Sequence, residues 1–239
     1  STFPQPFRDK ITVIHDGIDT QAIQPNSSIQ MNFKNAQGEI NLTRNDEVVT
    51  FVARNLEPYR GYHIFMRALP EILRQRPNAK VLIIGADGVS YGKDAPQGQT
   101  WKNIFINEVK EQVDWSRVFF LGQVPYPQFI GLLQLSRVHI YLTYPYVLSW
   151  SLLEAMSAGC TIVASDTPPL KEAIIEAKTG RLVNFFDKQA LANTVAELLA
   201  DKTQSDILGK NARQFAMENY DLQAICLPKQ LQWVKSLVS

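Results

Sequence analysis

Ser149, Trp150, Ser151 and Glu154 fall within six residues at the head of an apolar helical pattern that stops at Gly159. A helix N-terminus presents unpaired backbone N–H groups and about half a positive charge, so such a mouth suits an anion. Ser149 fits an N-cap, and Trp150 and Ser151 add N–H groups in the first turn. Glu154 lies too far along for a capping box, whose partner would be Leu152. Its carboxylate has two readings: an acceptor for the hydroxyls of a diol, or a partly buried acid satisfied by local backbone. Phosphate and ribose side by side are what a nucleotide diphosphate offers.

Other candidates come from loops. Arg54 and Arg60 flank the stretch Arg54-Asn-Leu-Glu-Pro-Tyr-Arg60-Gly61, just after an apolar strand pattern. A planar guanidinium fork binds two phosphate oxygens at once, so the pair is either a diphosphate clamp or two solvated surface arginines. Gly85-Ala-Asp-Gly-Val-Ser-Tyr-Gly92 is a glycine-rich loop, but it lacks the Gly-x-Gly-x-x-Gly spacing and the Walker Lys-Ser/Thr. It is either a phosphate cradle or a mobile turn. Gly122-Gln-Val124-Pro125 follows another strand pattern and offers backbone that could read the edge of a base. His15, His63 and His139 have no metal-ligand spacing, and no Gly-x-Ser-x-Gly elbow is present.

These residues need elements to hold them. Short, near-continuously apolar runs predict strands over 11–15, 48–53, 79–85, 117–121, 138–143, 161–164 and 181–183. Helical patterns predict helices over 62–76, 101–113, 127–136, 149–158, 169–176, 189–200, 205–219 and 222–237. Residues 20–46 read as an irregular linker that could hold a hairpin around Gly38. Alternating strands and helices predict an α/β fold with a doubly wound parallel sheet. In such sheets ligands bind at the carboxyl ends of the strands, beside the topological switch point. Most of the candidates above stand just after strands.

Composition narrows the classes. Among 239 residues, 24 Lys and Arg balance 23 acidic residues, which argues against nucleic acid as partner. With 45% hydrophobic and 20% charged residues, the chain reads as a soluble globular protein. Cys160 and Cys226, expected to be unpaired, fit a reducing, cytoplasmic compartment. The N-terminus does not read as a signal peptide, and no apolar run approaches the roughly 20 residues of a membrane span.

In this order, the pieces resemble the C-terminal, donor-binding half of retaining glycosyltransferases of the GT-B fold, family GT4. The matching segments are Ile14-His-Asp-Gly17-Ile-Asp19, the Arg54 to Arg60-Gly61 loop, Phe120-Leu-Gly122-Gln-Val124, and Glu154-Ala-Met-Ser-Ala-Gly159. The resemblance implies that Arg54 and Arg60 bind the donor pyrophosphate and stabilise its charge as the glycosidic bond breaks. It implies that Glu154 holds the ribose hydroxyls. Backbone near Gly122 and Val124 would contact the base, and the Leu148–Ser151 amides would contact phosphate and sugar. No metal or other cofactor is implied; the donor is a nucleotide-diphosphate sugar. Where the family's Glu-x7-Glu block has its first Glu, near the donor sugar, this chain has Tyr146, and Ser149 replaces a usual glycine.

The same resemblance implies three regions. Residues 1–45 would be an interdomain strand and linker, and 46–220 a Rossmann-like nucleotide-sugar-binding domain. Residues 221–239 would form a helix packing toward an N-terminal, acceptor-binding domain. Any membrane association would run through that other half, without which transfer is not expected. Polysaccharide assembly is a typical setting for the family. Two other readings stay open. One is a non-catalytic nucleotide-sugar-binding module, marked by Tyr146; the other is a GT-B-like epimerase, which needs acid and base groups that this half offers few of.

Overall fold

A computed structural model describes residues 3–35, 38–144 and 148–237. A four-residue helix, α1 (Gln5–Arg8), precedes a hairpin of β1 (Gln30–Asn35) and β2 (Gly38–Thr43). Strands and helices then alternate: β3 (Val48–Asn55), α2 (Tyr62–Gln75), β4 (Lys80–Ala86), α3 (Trp101–Val109), β5 (Val118–Gly122), α4 (Tyr126–Leu135), β6 (Val138–Tyr141), α5 (Trp150–Ser157) and β7 (Thr161–Ser165). After β8 (Arg181–Val183) come α6 (Lys188–Ala200), α7 (Lys202–Tyr220) and α8 (Leu227–Ser236).

Six strands form one parallel sheet in the order β5-β4-β3-β6-β7-β8. The chain winds outward from β3 in one direction, then returns to β6 and winds outward in the other. The switch point therefore lies between β3 and β6; Arg54 is at the end of β3 with Leu56 to Gly61 just after it, and Tyr144, Leu148 and Ser149 follow β6.

Alternation along each strand divides the core between two faces. Val49 and Phe51 meet Tyr62, Phe65 and Leu69 of α2, with Leu191 and Val195 of α6. Tyr141, Ile162 and Ala164 meet Leu133, Leu152, Met156 and Ala212 of α4, α5 and α7. Phe33 and Leu42 of the hairpin join Val48, Leu82, Phe119 and Leu132, so the segment expected to be irregular closes part of the core. Each such side chain, fully buried, contributes about 1.5–3 kcal/mol of transfer free energy.

Four expectations need correction. Residues 11–15 form no strand; the nearest ladder contact is a single bridge from Ile18 to Asp221. Over 169–176 there is one 3-10 turn, Leu170–Glu172. Thr179 accounts for this: its Oγ1 accepts from Ile175 N and donates to Ala173 O, supplying bonds that a helix would make itself. The helix expected over 101–113 ends at Val109. The one expected over 222–237 opens as a π-type turn, Leu222–Cys226, before α8 begins.

Candidate functional site at the switch point

The loops that follow β3 and β6 interlock. Tyr144 N donates to Tyr59 O at 3.0 Å, and the Tyr59 and Tyr144 rings lie 5.6 Å apart. Gly61 ends the short 3-10 turn Pro58–Arg60 at φ +72°, in the left-handed region. A Cβ there would lie 2.3 Å from Leu142 Cβ, so only glycine lets the two loops approach this closely.

Arg60 stands in that interlock, half-buried. Its Nη1 is 3.5 Å from Thr143 Oγ1, and its guanidinium lies 5.0 Å above the Tyr91 ring. Tyr91 belongs to the glycine-rich loop after β4, and Glu57 explains why that loop is set. Glu57 is fully buried, and its carboxylate accepts from the N–H groups of Ser90, Tyr91 and Gly92 at 3.1, 3.4 and 3.0 Å. The amides that could have cradled a phosphate are filled by the protein's own acid, which corrects the cradle reading of this loop. Arg54 is exposed near the end of β3, where the pairing with β4 slips by one residue between Val52 and Asn55.

Ser149 is the N-cap of α5, as expected, and its Oγ accepts from Ser151 N at 3.3 Å. The Ser149 and Ser151 hydroxyls hydrogen-bond each other at 2.9 Å. Burial raises the pKa of Tyr141, and the polar Ser149 side chain, the Arg60 charge and the Ser151 side chain oppose that rise. Leu148, half-buried, packs against the core beneath α5, and Trp150 is exposed. Tyr146 lies outside the described residues.

One turn further, Glu154 is 8% exposed and its Oε1 accepts from the Tyr126 hydroxyl at 2.7 Å. Burial raises the Glu154 pKa, and the Tyr126 bond works against that rise. Glu154 opens into a cleft of about 630 Å³ shared with Gly17, Asp19, Tyr126 and Trp150. The partner of its carboxylate is thus the Tyr126 side chain, where one of the two readings had looked to local backbone. Trp150 Nε1 donates to Asp16 Oδ2 at 3.1 Å and also borders a second cleft of about 620 Å³.

Gly122 and Val124 stand at the carboxyl end of β5, two strands and roughly 10 Å from β3. Their loop reaches the helix mouth through Tyr126, two residues beyond Val124. Ser149, Ser151 and Glu154 thus share the start of α5, Arg60 reaches Thr143 in the segment that leads to it, and Tyr126 ties Glu154 to the chain just beyond Gly122 and Val124. Sequence reasoning singled out neither Tyr126 nor Tyr141, nor Glu57. Their signal was position alone: each lies in or beside a loop at the carboxyl edge of the sheet.

Among the described residues, no cluster of three His, Cys, Asp or Glu side chains is placed to hold a metal ion. Nor is any helix long and apolar enough to cross a membrane.

The chain belongs to the family of glycosyl transferases group 1, whose profile matches residues 33–215. It is 28% identical over 210 residues to a D-inositol 3-phosphate glycosyltransferase of Corynebacterium efficiens, covering 87% of this chain and 47% of that protein. A sucrose-phosphate synthase from Thermosynechococcus elongatus superposes with a TM-score of 0.75 at 25% identity, covering 94% of this chain and 52% of the other. HepE of Anabaena, solved in complex with UDP, shares the fold with a TM-score of 0.69 at 20% identity, over 95% of this chain and 57% of that one. The chain spans about half the length of the curated relatives it matches.

Proposed function

We propose that this chain is the donor-binding half of a retaining glycosyltransferase that moves a sugar from a nucleotide-diphosphate donor to an acceptor. The observation that carries the reading is the switch point itself, where Arg60 reaches Thr143 in the segment that leads to the Ser149 cap and where Glu154, held by Tyr126, opens into a cleft. The family membership and the UDP bound by HepE support it from outside.

In the reaction the bond between the sugar's anomeric carbon and the β-phosphate oxygen breaks, and its electron pair goes to that oxygen. The acceptor oxygen forms the new bond on the face just vacated, and its proton ends on the departing phosphate. Negative charge grows on the diphosphate, so cations and N–H groups already aimed there lower the barrier. Arg60, held over Tyr91, and Arg54 supply the cations, and the first turn of α5 supplies the amides. These cations take the part that a divalent ion plays elsewhere. Glu154 accepts from the ribose hydroxyls, which requires its ionised form; the Tyr126 bond favours that form. The Gly122–Val124 backbone meets the base, and Tyr146 replaces a carboxylate beside the sugar.

Residues 46–220 form the nucleotide-sugar unit in this reading. The acceptor binds to a second half that faces α8 and residues 11–15, where Val13, Leu231, Trp233 and Val234 are exposed. Alone, the chain binds donor without transferring sugar. Calorimetric titration with UDP, GDP and ADP tests the first step. Saturable binding of one nucleotide is expected, and a folded sample that binds none overturns the assignment.

A further inference from the structure

A second basic pocket lies at the opposite, amino edge of the sheet. It encloses about 360 Å³ between the segments that enter β3, β6 and β7 and one face of α7. Five cationic side chains line it, Arg44, Arg137, Lys202, Lys210 and Arg213, against the single carboxylate of Asp206. With strands of about five residues between the two edges, it stands roughly 17 Å from the switch point.

The charges in this pocket are not neutralised from within. Arg213 donates to the carbonyls of Ile23, Ser157 and Thr20 at 2.9, 2.6 and 3.2 Å, which orient it without cancelling its charge. Arg44 likewise donates to the carbonyls of Ser136 and Gly159. Among the described residues, Lys202 reaches the amide oxygen of Asn45 at 3.2 Å and neither it nor Lys210 makes an ion pair.

Arg137 is the decisive residue. It is 5% exposed, and its guanidinium makes no hydrogen bond with any described residue. Its nearest carboxylate, Asp206, is 3.8 Å away with nearly half of its side chain in solvent, and Glu47, which is paired with Arg76, acts on Arg137 from further off. The Arg137 stem is buried while its unbonded nitrogens open to the pocket, so an anion entering there meets a partly desolvated guanidinium with donors free. Gly209 shows how closely the walls are built: a Cβ there would meet the Gly159 carbonyl oxygen at 2.5 Å.

We propose that this amino-edge pocket binds a compact soluble polyanion, recognised through a phosphate or pyrophosphate group, as a site separate from the donor cleft. Guanidinium forks and the paired lysines suit phosphate oxygens, and the enclosed volume suits a small molecule in preference to a flat lipid surface.

The test is calorimetric titration of the 239-residue chain with inorganic pyrophosphate, alongside flotation with phosphatidylglycerol vesicles. Saturable pyrophosphate binding is expected, falling at least tenfold in Lys202→Gln/Lys210→Gln and persisting in Arg54→Ala/Arg60→Ala. Arg137→Leu is expected to melt higher than wild type without anion and to lose the anion-induced rise. Should Arg137→Leu fail to fold, the surface lysine pair still decides the question. The proposal is overturned by the absence of saturable binding, or by binding that vanishes with the donor-loop arginines and ignores the lysines. Vesicle binding without pyrophosphate binding overturns it equally.

Discussion

Replacing Gly61 by alanine probes whether the two switch-point loops are interlocked as described. The added methyl carries two separable costs. First, φ is +72°, where an L-residue pays about 1–2 kcal/mol. Second, its Cβ would sit 2.3 Å from Leu142 Cβ, against an ordinary carbon–carbon contact of roughly 3.5–4.0 Å. One loop must retreat by about 1.5 Å from a neighbour that is itself buried, an overpacking cost of about 1–3 kcal/mol. The sum, about 2–5 kcal/mol, corresponds to a fall of roughly 4–20 °C in Tm for a chain of this size. Shortening the neighbour does not rescue the variant, because Leu142→Ala keeps the offending Cβ. Scanning calorimetry gives the Tm, and titration with the bound nucleotide reports the displaced Arg60. A Gly61→Ala protein within a degree of wild type and unchanged in affinity would refute the interlock and the geometry built on it.

Arg60→Ala and Arg54→Ala should each weaken nucleotide-diphosphate binding by about 1.5–3 kcal/mol, roughly ten- to a hundredfold, in calorimetric titration. Unchanged affinity in both removes the diphosphate role. Glu57→Ala strands three backbone amides and should cost about 2–3 kcal/mol in urea unfolding, with faster amide exchange at Ser90–Gly92; normal protection there would contradict the account. His139 is fully buried, and burial lowers its pKa to about 4 from 6.5. Below pH 6.5 the unfolded chain takes up the proton first, so stability should be lost between pH 6.5 and 4, by about 3 kcal/mol. Unfolding curves of His139→Leu should lack that loss; an identical acid limb in both proteins would exclude His139 as its source.

Much of the sheet was legible because buried parallel strands write themselves as short apolar runs. The runs over 48–53, 79–85, 161–164 and 181–183 all correspond to strands within a residue or two. The run at 11–15 has the same texture but no neighbouring strand to pair with, and pairing is not written in a single segment. Helix α2 continues through Pro70, although proline removes a helical N–H, because Phe65, Leu69, Ile72 and Leu73 are buried along one face. At 169–176 the opposite happened, and one threonine hydroxyl outbid the helix.

For the site, sequence marked the positions after strands, including Ser149 as cap and Glu154 as a lone acid in apolar company. It missed Tyr126, whose importance arises from a hydrogen-bond partner 28 residues away. It also left the glycine-rich loop open between a phosphate cradle and a mobile turn. That loop's amides are filled by Glu57, which is 33 residues from the nearest of them and buried.

The carboxylate of Glu57 acts as a permanent lodger in a niche that would otherwise attract free anions from the medium. Because it never leaves, Tyr91 is already beneath Arg60 before any donor arrives. Inorganic phosphate should therefore compete poorly at this corner, and the arriving donor need spend little of its affinity on ordering the loop.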